Sequence, residues 1–138
     1  MNNFAMFALA AAIALPMVSV DAIAEESATV DAKAAKRGKK VAGKTCFACH
    51  DMTEAAQNRV GPPLWGIVGK PAGTVEGYEY SQAHLDKVKA DSIIWDEATL
   101  DAYLKNPAAM IPGNKMVFPG VPKDKNRKNL IEYMKTLK

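Results

Sequence analysis

Two cysteines and a histidine lie within five consecutive positions, Cys46-Phe47-Ala48-Cys49-His50, and the chain has no other cysteine. Two thiols at this spacing lie on about one helical turn, so both can add to the vinyl groups on one edge of a porphyrin. The adjacent imidazole can then bind the iron as the proximal ligand. The motif therefore predicts one covalently attached haem c, held by Cys46 and Cys49, with His50 on its iron.

The same residues admit three other interpretations. A disulfide between Cys46 and Cys49 would close a very short loop and stabilise the fold little. A thioredoxin-like dithiol would be expected within a βαβ pattern, which the sequence lacks. A zinc site would need more ligands than the one further histidine, His84, can supply. We therefore expect haem attachment.

The iron of such a haem needs a second axial ligand, and the candidates beyond residue 24 are Met52, Met110, Met116, Met134 and His84. Met52 is too close to His50 in the chain to reach the opposite haem face, and Met134 falls on the apolar stripe of a predicted helix. Met110 and Met116 share a loop, and the proline and glycine that precede Met116 favour it. An isolated histidine in a loop is more often exposed or hydrogen-bonded than a ligand.

A histidine and methionine pair would suit electron transfer. A neutral thioether stabilises ferrous relative to ferric iron and raises the reduction potential. Two protein ligands also leave no coordination position open for a substrate. The pattern therefore predicts an electron carrier, and the alternative, if Met116 dissociates readily, is a protein that binds small ligands or reduces peroxide.

Apolar periodicity and capping residues predict three helices that would position these groups, over residues 35–47, 97–105 and 123–137. The first contains Gly38, and a glycine inside a helix indicates that another element approaches closely. Residues 51–92 are rich in glycine and proline and predict mostly loops. No segment has the alternation of a strand. We expect an all-α fold that needs a bound group to fill its centre.

The N-terminal residues 1–24 resemble a secretory signal. A short apolar run ends at Pro16, and Ala22-Ile23-Ala24 matches the A-x-A cleavage pattern, which predicts cleavage after Ala24 and a periplasmic location. The run is too short for a comfortable membrane span. The alternative is an uncleaved N-terminal anchor. Residues 25–35 are expected to be a flexible lead-in, followed by one domain over residues 36–138.

The charge of the chain limits its partners. Eighteen basic and fifteen acidic residues give a net charge of +3. The lysines are scattered without an aromatic and basic stripe, which argues against a nucleic-acid partner. A mild positive charge suits docking on an acidic protein surface. Five lysines are expected around the haem edge: Lys44, Lys105, Lys115, Lys123 and Lys125.

Several motifs together resemble the small class I cytochromes c, over residues 36–137. In family order they are Gly38-Lys39-Lys40, Cys46 to His50, Gly61-Pro62-Pro63-Leu64, Gly77 to Ser81, and Lys105-Asn106-Pro107 through Phe118. The resemblance implies a cytochrome c fold, with three main helices and long loops around one haem. It implies a soluble, monomeric protein that carries single electrons and is not an enzyme. The implied partners are larger redox proteins, such as a bc1-type complex and a terminal oxidase, reductase or photosynthetic reaction centre.

The resemblance also implies roles for single residues around the iron. The Pro62 carbonyl would accept a hydrogen bond from His50, and Tyr103 would donate one to the sulfur of Met116, which the family's methionine loop favours over Met110. Such a bond to a ligating histidine orients it and tunes its basicity.

Other implied roles concern the haem carboxylates and the helix crossing. Tyr80 and Trp95 would donate to propionates, and Asn114, which replaces a usual threonine, would lie near one. Gly38 would pack against Leu130 and Tyr133. His84 stands at or near a position where the family usually has a haem-facing asparagine, and inside the pocket it would make the reduction potential depend on pH.

Overall fold

The computed structural model describes residues 29–138, so the predicted signal segment 1–24 lies outside the described residues. The described part is helical, with a single isolated bridge between Pro71 and Ile94 and no longer strand. Its helices are α1 (Ala32–Thr45), α2 (Gln82–Asp91), α3 (Glu97–Lys105), α4 (Pro107–Met110) and α5 (Asp124–Lys135). The all-α prediction is confirmed.

Helix α1 begins three positions before the predicted start, inside the range expected to be a lead-in. Asp31 explains this start, because its carboxylate accepts hydrogen bonds from the backbone N–H groups of Lys33 at 2.8 Å and Ala34 at 3.0 Å. Such a cap satisfies donors that the first turn leaves free. The backbone N–H of Asp31 also donates to Glu132 Oε2 at 2.7 Å, which joins the start of α1 to α5.

Helices α1 and α5 cross at Gly38. A Cβ atom at this position would overlap the backbone carbonyl of Asn129 and lie against the Cβ of Tyr133. The predicted contact with Tyr133 is confirmed, whereas the other close neighbour is Asn129 and not Leu130. Leu130 is fully buried next to it. The crossing therefore requires glycine and fixes where the C-terminal end of α1, with Cys46, points.

Helix α2 is the main departure from the prediction, which placed residues 51–92 mostly in loops. Ser81 Oγ caps it by accepting from the His84 N–H at 3.1 Å, and Ser92 ends it in the left-handed conformation with φ 49°. Only His84 and Val88 of this helix are buried. Because nearly all of α2 faces solvent, its sequence lacks the apolar stripe that reveals an amphipathic helix.

The predicted helix over residues 97–105 matches α3, which is capped by Asp96, whose carboxylate accepts from the Thr99 N–H at 2.7 Å. Pro107 does not lead into a loop, as predicted, but opens the short helix α4. Asn106 caps α4 by accepting from the Ala109 N–H at 3.1 Å. Proline suits the first helical position, because no partner exists there for an N–H group.

Arg127, which no sequence pattern had indicated, anchors the start of α5. The residue is 3% exposed, and its guanidinium bonds to Asp101 at 2.8 and 3.2 Å, to Asp124 at 2.7 Å and to the Val121 carbonyl at 3.0 Å. A buried charge needs such full pairing. The cluster joins α3, α5 and the end of the loop that carries Met116. Within residues 29–138, none of the helices is both long and apolar enough to span a membrane.

Candidate cofactor site

A cavity of about 250 Å³ brings together distant parts of the chain. All nine residues predicted for the site line it: Cys46, Cys49, His50, Pro62, Tyr80, Trp95, Tyr103, Asn114 and Met116. They come from the end of α1, the loops before and after α2, helix α3 and the loop after α4. The arrangement leaves the centre of the fold free for a flat, largely apolar group.

The two cysteines follow α1 on one tight turn. The N–H groups of Cys49 and His50 both donate to the Cys46 carbonyl, at 3.0 and 2.9 Å. Both thiols are free, and burial raises the pKa of the Cys46 thiol above its ordinary value. A redox-active dithiol normally has a lowered thiol pKa. The turn thus fits attachment along a porphyrin edge better than dithiol exchange.

The ring of His50 is held in one orientation. Its Nδ1 lies 2.6 Å from the Pro62 carbonyl oxygen, so Nδ1–H donates and the lone pair of Nε2 is available to a metal. Burial lowers the pKa of His50, and the Pro62 bond only partly opposes that effect. The ring is therefore neutral at neutral pH, the form that binds iron. A side chain at Gly61 would overlap the ring.

Asn114 arranges the loop that carries Met116. Its Oδ1 accepts from the Met116 N–H at 2.8 Å, and its Nδ2 donates to the carbonyls of Pro107 at 3.1 Å and Ile111 at 2.7 Å. Both amide hydrogens have partners within the protein, and the place of Asn114 near a propionate stays a prediction. Asn114 therefore fixes the loop geometry, a role that the sequence could have indicated only through its spacing of two positions from Met116.

The candidates for the second iron ligand differ in their position relative to the cavity. Met116 lines the cavity, whereas Met110 is half-buried against the core and Met52 is buried away from the cavity. Met134 also reaches the cavity wall, from α5, where it is part of the core. The preference for Met116 over Met110 agrees with this placement.

Aromatic rings form one wall of the cavity. Trp95 and Tyr103 are in contact with ring centroids 4.9 Å apart, and burial raises the pKa of Tyr103 to about 12. The Tyr80 hydroxyl accepts a bond from the Val75 N–H at 3.4 Å, and burial also raises the pKa of Tyr80. Both phenols therefore keep their protons at neutral pH and can donate hydrogen bonds into the cavity.

His84 does not lie in an exposed loop, where an isolated histidine is more often found, and its place agrees with the haem-facing position that the family resemblance implied. It lies on α2, is 7% exposed and reaches the cavity. Its ring stacks on Tyr80 with centroids 4.7 Å apart and an interplanar angle of 19°. Its Nε2 is buried without a hydrogen-bond partner in the described structure.

The rim of the cavity differs in part from the predicted ring of lysines. Lys115 is at the rim, where its Nζ donates to the Glu79 carbonyl at 2.8 Å, whereas Lys125 lines a separate groove between α1 and α5. Two apolar residues at the rim were not predicted, Val60 with 77% and Val117 with 103% relative exposure. The rim is thus both apolar and basic.

The residues present fit a haem c. The cavity offers two thiols on one turn, an imidazole nitrogen, a thioether and phenol donors, and no carboxylate lines it. Within residues 29–138 no cluster of three or more histidine, cysteine, aspartate or glutamate side chains could hold a metal ion. A zinc site built from such side chains is therefore not found in this part of the chain.

Comparisons with known proteins agree with this geometry. The family model described as Cytochrome c matches residues 35–138. The chain is 47% identical to cytochrome c-550 of Nitrobacter winogradskyi over 95 residues, which cover 69% of this chain and 84% of that protein. It is 47% identical to cytochrome c2 iso-2 of Magnetospirillum molischianum over 93 residues (67% and 91%). It is 38% identical to cytochrome c-554 of Methylosinus trichosporium over 134 residues (97% and 92%).

Proposed function

The chain belongs to the cytochrome c family, and we propose on this premise that Cys46 and Cys49 hold its haem while His50 and Met116 bind the iron. The protein is an electron carrier with covalently bound haem c. The observation that carries the ligand assignment is the 2.6 Å contact between His50 Nδ1 and the Pro62 carbonyl, which leaves Nε2 for the metal. The bound haem supplies iron that alternates between the ferric and ferrous states.

The protein residues would hold the two proposed iron ligands in the same positions in both oxidation states. Pro62 holds the His50 ring and Asn114 holds the Met116 backbone at 2.8 Å, and Tyr103, which lines the same cavity, would donate to the sulfur of Met116. A closed cavity with fixed ligands needs little reorganisation when the charge of the iron changes. A neutral thioether ligand also raises the reduction potential.

With both His50 and Met116 bound to the iron, no coordination position would remain for a substrate, so we propose a carrier without enzymatic activity of its own. The assignment of Met116 as the second iron ligand is supported by the loop bonds of Asn114, which hold Met116 at the cavity. A five-coordinate iron that binds small ligands would need that loop to open.

We further propose that the protein is exported to the periplasm as a monomer, with residues 1–24 removed. The alignment with the Methylosinus protein covers 134 of the 138 residues and therefore includes much of this segment. The partners would be a bc1-type complex as donor and a terminal oxidase, reductase or reaction centre as acceptor. Val60, Val117 and Lys115 at the rim suit a brief, salt-sensitive encounter.

Three measurements on protein produced with a haem attachment system test these assignments. Mass spectrometry should find one haem adduct, no free thiol and an N-terminus at Glu25, and a chain that retains residue 1 would support the anchor instead. Redox titration should give a reversible one-electron couple. Ferrous protein should not bind carbon monoxide rapidly at neutral pH, and rapid binding would contradict six-coordinate iron.

A further inference from the structure

His84 is the one cavity residue with a fully buried side-chain nitrogen or oxygen atom that has no hydrogen-bond partner among residues 29–138. It is 93% buried, since its relative exposure is 7%, and its Nε2 is the only buried side-chain nitrogen or oxygen without a partner among residues 29–138. Leaving such a buried group unpaired is unfavourable. The ring is nevertheless held firmly, because it stacks on Tyr80 and its backbone N–H is bonded to the Ser81 cap.

None of the protein side chains that face the same cavity is a carboxylate that could accept a hydrogen bond from this nitrogen. The titratable side chains that line the cavity with His84 are Cys46, Cys49, His50, Tyr78, Tyr80, Tyr103 and Lys115. They come from the end of α1, the loop before α2, helix α3 and the loop after α4, and none is a carboxylate. The carboxylates nearest in the chain, Glu79 and Asp86, are on exposed residues outside the cavity lining.

A haem brings two propionate carboxylates into a cavity that has no other. We propose that His84 donates a hydrogen bond from Nε2 to a haem propionate, and that this contact couples reduction of the iron to binding of a proton by His84. The proposal rests on the haem site proposed above. It makes His84 a positioning and charge-setting residue and not an iron ligand.

The sign of the coupling follows from charge. Reduction adds one electron, supplied by the redox partner, and lowers the positive charge of the iron by one. If His84 then binds one proton from water on its second ring nitrogen, its positive charge would be opposed by a less positive iron, which is favourable. Burial lowers the pKa of His84 when the cavity holds no anion, and the propionate opposes that effect. The reduction potential should therefore fall as the pH rises through the His84 titration.

The composition of the chain makes this testable, because His50 and His84 are its only histidines. Reduction potentials of the haem protein should be measured from pH 5 to 8 by spectroelectrochemistry. In parallel, NMR of protein labelled with nitrogen-15 at histidine should follow the His84 ring in both oxidation states. We expect the potential to fall with rising pH and the pKa of His84 to be higher in the ferrous than in the ferric protein.

Two substitutions of His84 separate the hydrogen bond from the proton. His84→Asn keeps a donor that cannot titrate, so its potential should lose its dependence on pH across this range. His84→Leu should lose that dependence and also shift the potential, because the propionate loses its donor. Asp86→Asn is the matched control, since Asp86 lies on the exposed side of the same helix, and it should behave like the wild type.

The outcomes against the proposal are specific. An unchanged pH dependence in His84→Asn, or equal pKa values of His84 in the two oxidation states, would overturn it. A change of the sulfur-to-iron absorption band in His84→Asn would mean that His84 acts on the iron ligands instead. Failure to attach haem, or to show a one-electron couple in the wild type, would count against the proposed site and not against this contact alone.

Discussion

His50 Nδ1 and the carbonyl oxygen of Pro62 are 2.6 Å apart, although the residues are twelve positions apart in the chain. The intervening chain returns to the haem-binding turn, because the Gly61 N–H donates to the Cys49 carbonyl at 2.9 Å. The two bonds close this loop and hold the Pro62 carbonyl against the imidazole ring of His50. The loop can do so only because residue 61 has no side chain, since a Cβ there would overlap the ring.

We therefore expect Gly61→Ala to displace either the His50 ring or the loop. An added methyl group in a tightly packed place costs typically about 1–3 kcal/mol, and here it also disturbs the proposed proximal ligand. Chemical denaturation of the haem protein should show that loss, together with an altered haem spectrum. The control is Gly43→Ala in α1, where a Cβ meets nothing within 4 Å. A normal spectrum and full stability in Gly61→Ala would contradict the orienting role.

The proposed axial ligand is tested by two methionines of the same loop region. Met116→Ala should remove the sulfur-to-iron absorption band, open the iron to carbon monoxide and lower the potential by on the order of 0.1 V, since axial ligands set potentials over roughly 0.8 V. Met110→Ala should keep the band, because Met110 does not line the cavity. A band that persists in Met116→Ala, or is lost in Met110→Ala, would refute the assignment.

Asn114→Ala should loosen the loop without removing the ligand. It removes three hydrogen bonds, at 2.7, 2.8 and 3.1 Å, each with a net contribution of about 0.5–1.5 kcal/mol. We expect the sulfur-to-iron band to disappear at a lower temperature than in the wild type, before global unfolding. Asn114→Asp keeps the acceptor for the Met116 N–H but lacks both donors, so its effect should be intermediate. Equal effects of the two substitutions would argue against a role for that acceptor.

The sequence predicted the parts of the fold and site that local chemistry determines. The spacing of Cys46, Cys49 and His50 is a property of one helical turn. Helix α3 could be predicted from its cap and its apolar face. Helix α2 was missed because two buried residues make no stripe. The burial of His84 follows from the way α2 covers the cavity, which depends on contacts between distant segments. A sequence pattern carries such information only weakly.

The bonds of Asn114 illustrate the same limit within the site. Its position near the haem followed from a family resemblance, yet the groups that it contacts depend on how α4 and the following loop turn. Once Pro107 opens a short helix, its carbonyl and that of Ile111 both come within reach of the Asn114 amide. Those contacts could be predicted only by knowing that α4 exists.

Gly38→Ala should destabilise the crossing of α1 and α5, since the added Cβ would overlap the Asn129 carbonyl, which cannot move without moving α5. The loss should be about 1–3 kcal/mol for overpacking. At an open helical position such as Gly43, alanine should instead gain up to about 1 kcal/mol. The two variants should therefore change the free energy of unfolding in opposite directions, and a gain in both would show that the crossing tolerates a side chain.

The acid sensitivity of the fold should depend on Asp51, which lies next to the proposed ligand His50 and is 3% exposed. Its carboxylate accepts bonds from the Gln57 N–H at 3.0 Å and from the Thr53 hydroxyl and N–H at 2.8 and 3.0 Å. These bonds favour the charged form and lower the pKa of Asp51 below its ordinary value of 3.8. The unfolded chain, without them, regains that ordinary value.

A carboxyl whose pKa is lower in the folded protein than in the unfolded chain stabilises the fold at any pH above its unfolded-state pKa. This stabilisation is lost as the pH falls through the folded-state pKa. The difference in unfolding free energy between wild type and Asp51→Asn should thus be constant near pH 7 and shrink below pH 3.8. Denaturant unfolding at several pH values measures this difference. Thr53→Val, which removes one of the three donors, should show a smaller difference of the same sign. A difference that stays constant down to pH 2.5 would mean that Asp51 contributes through its shape and not through its charge.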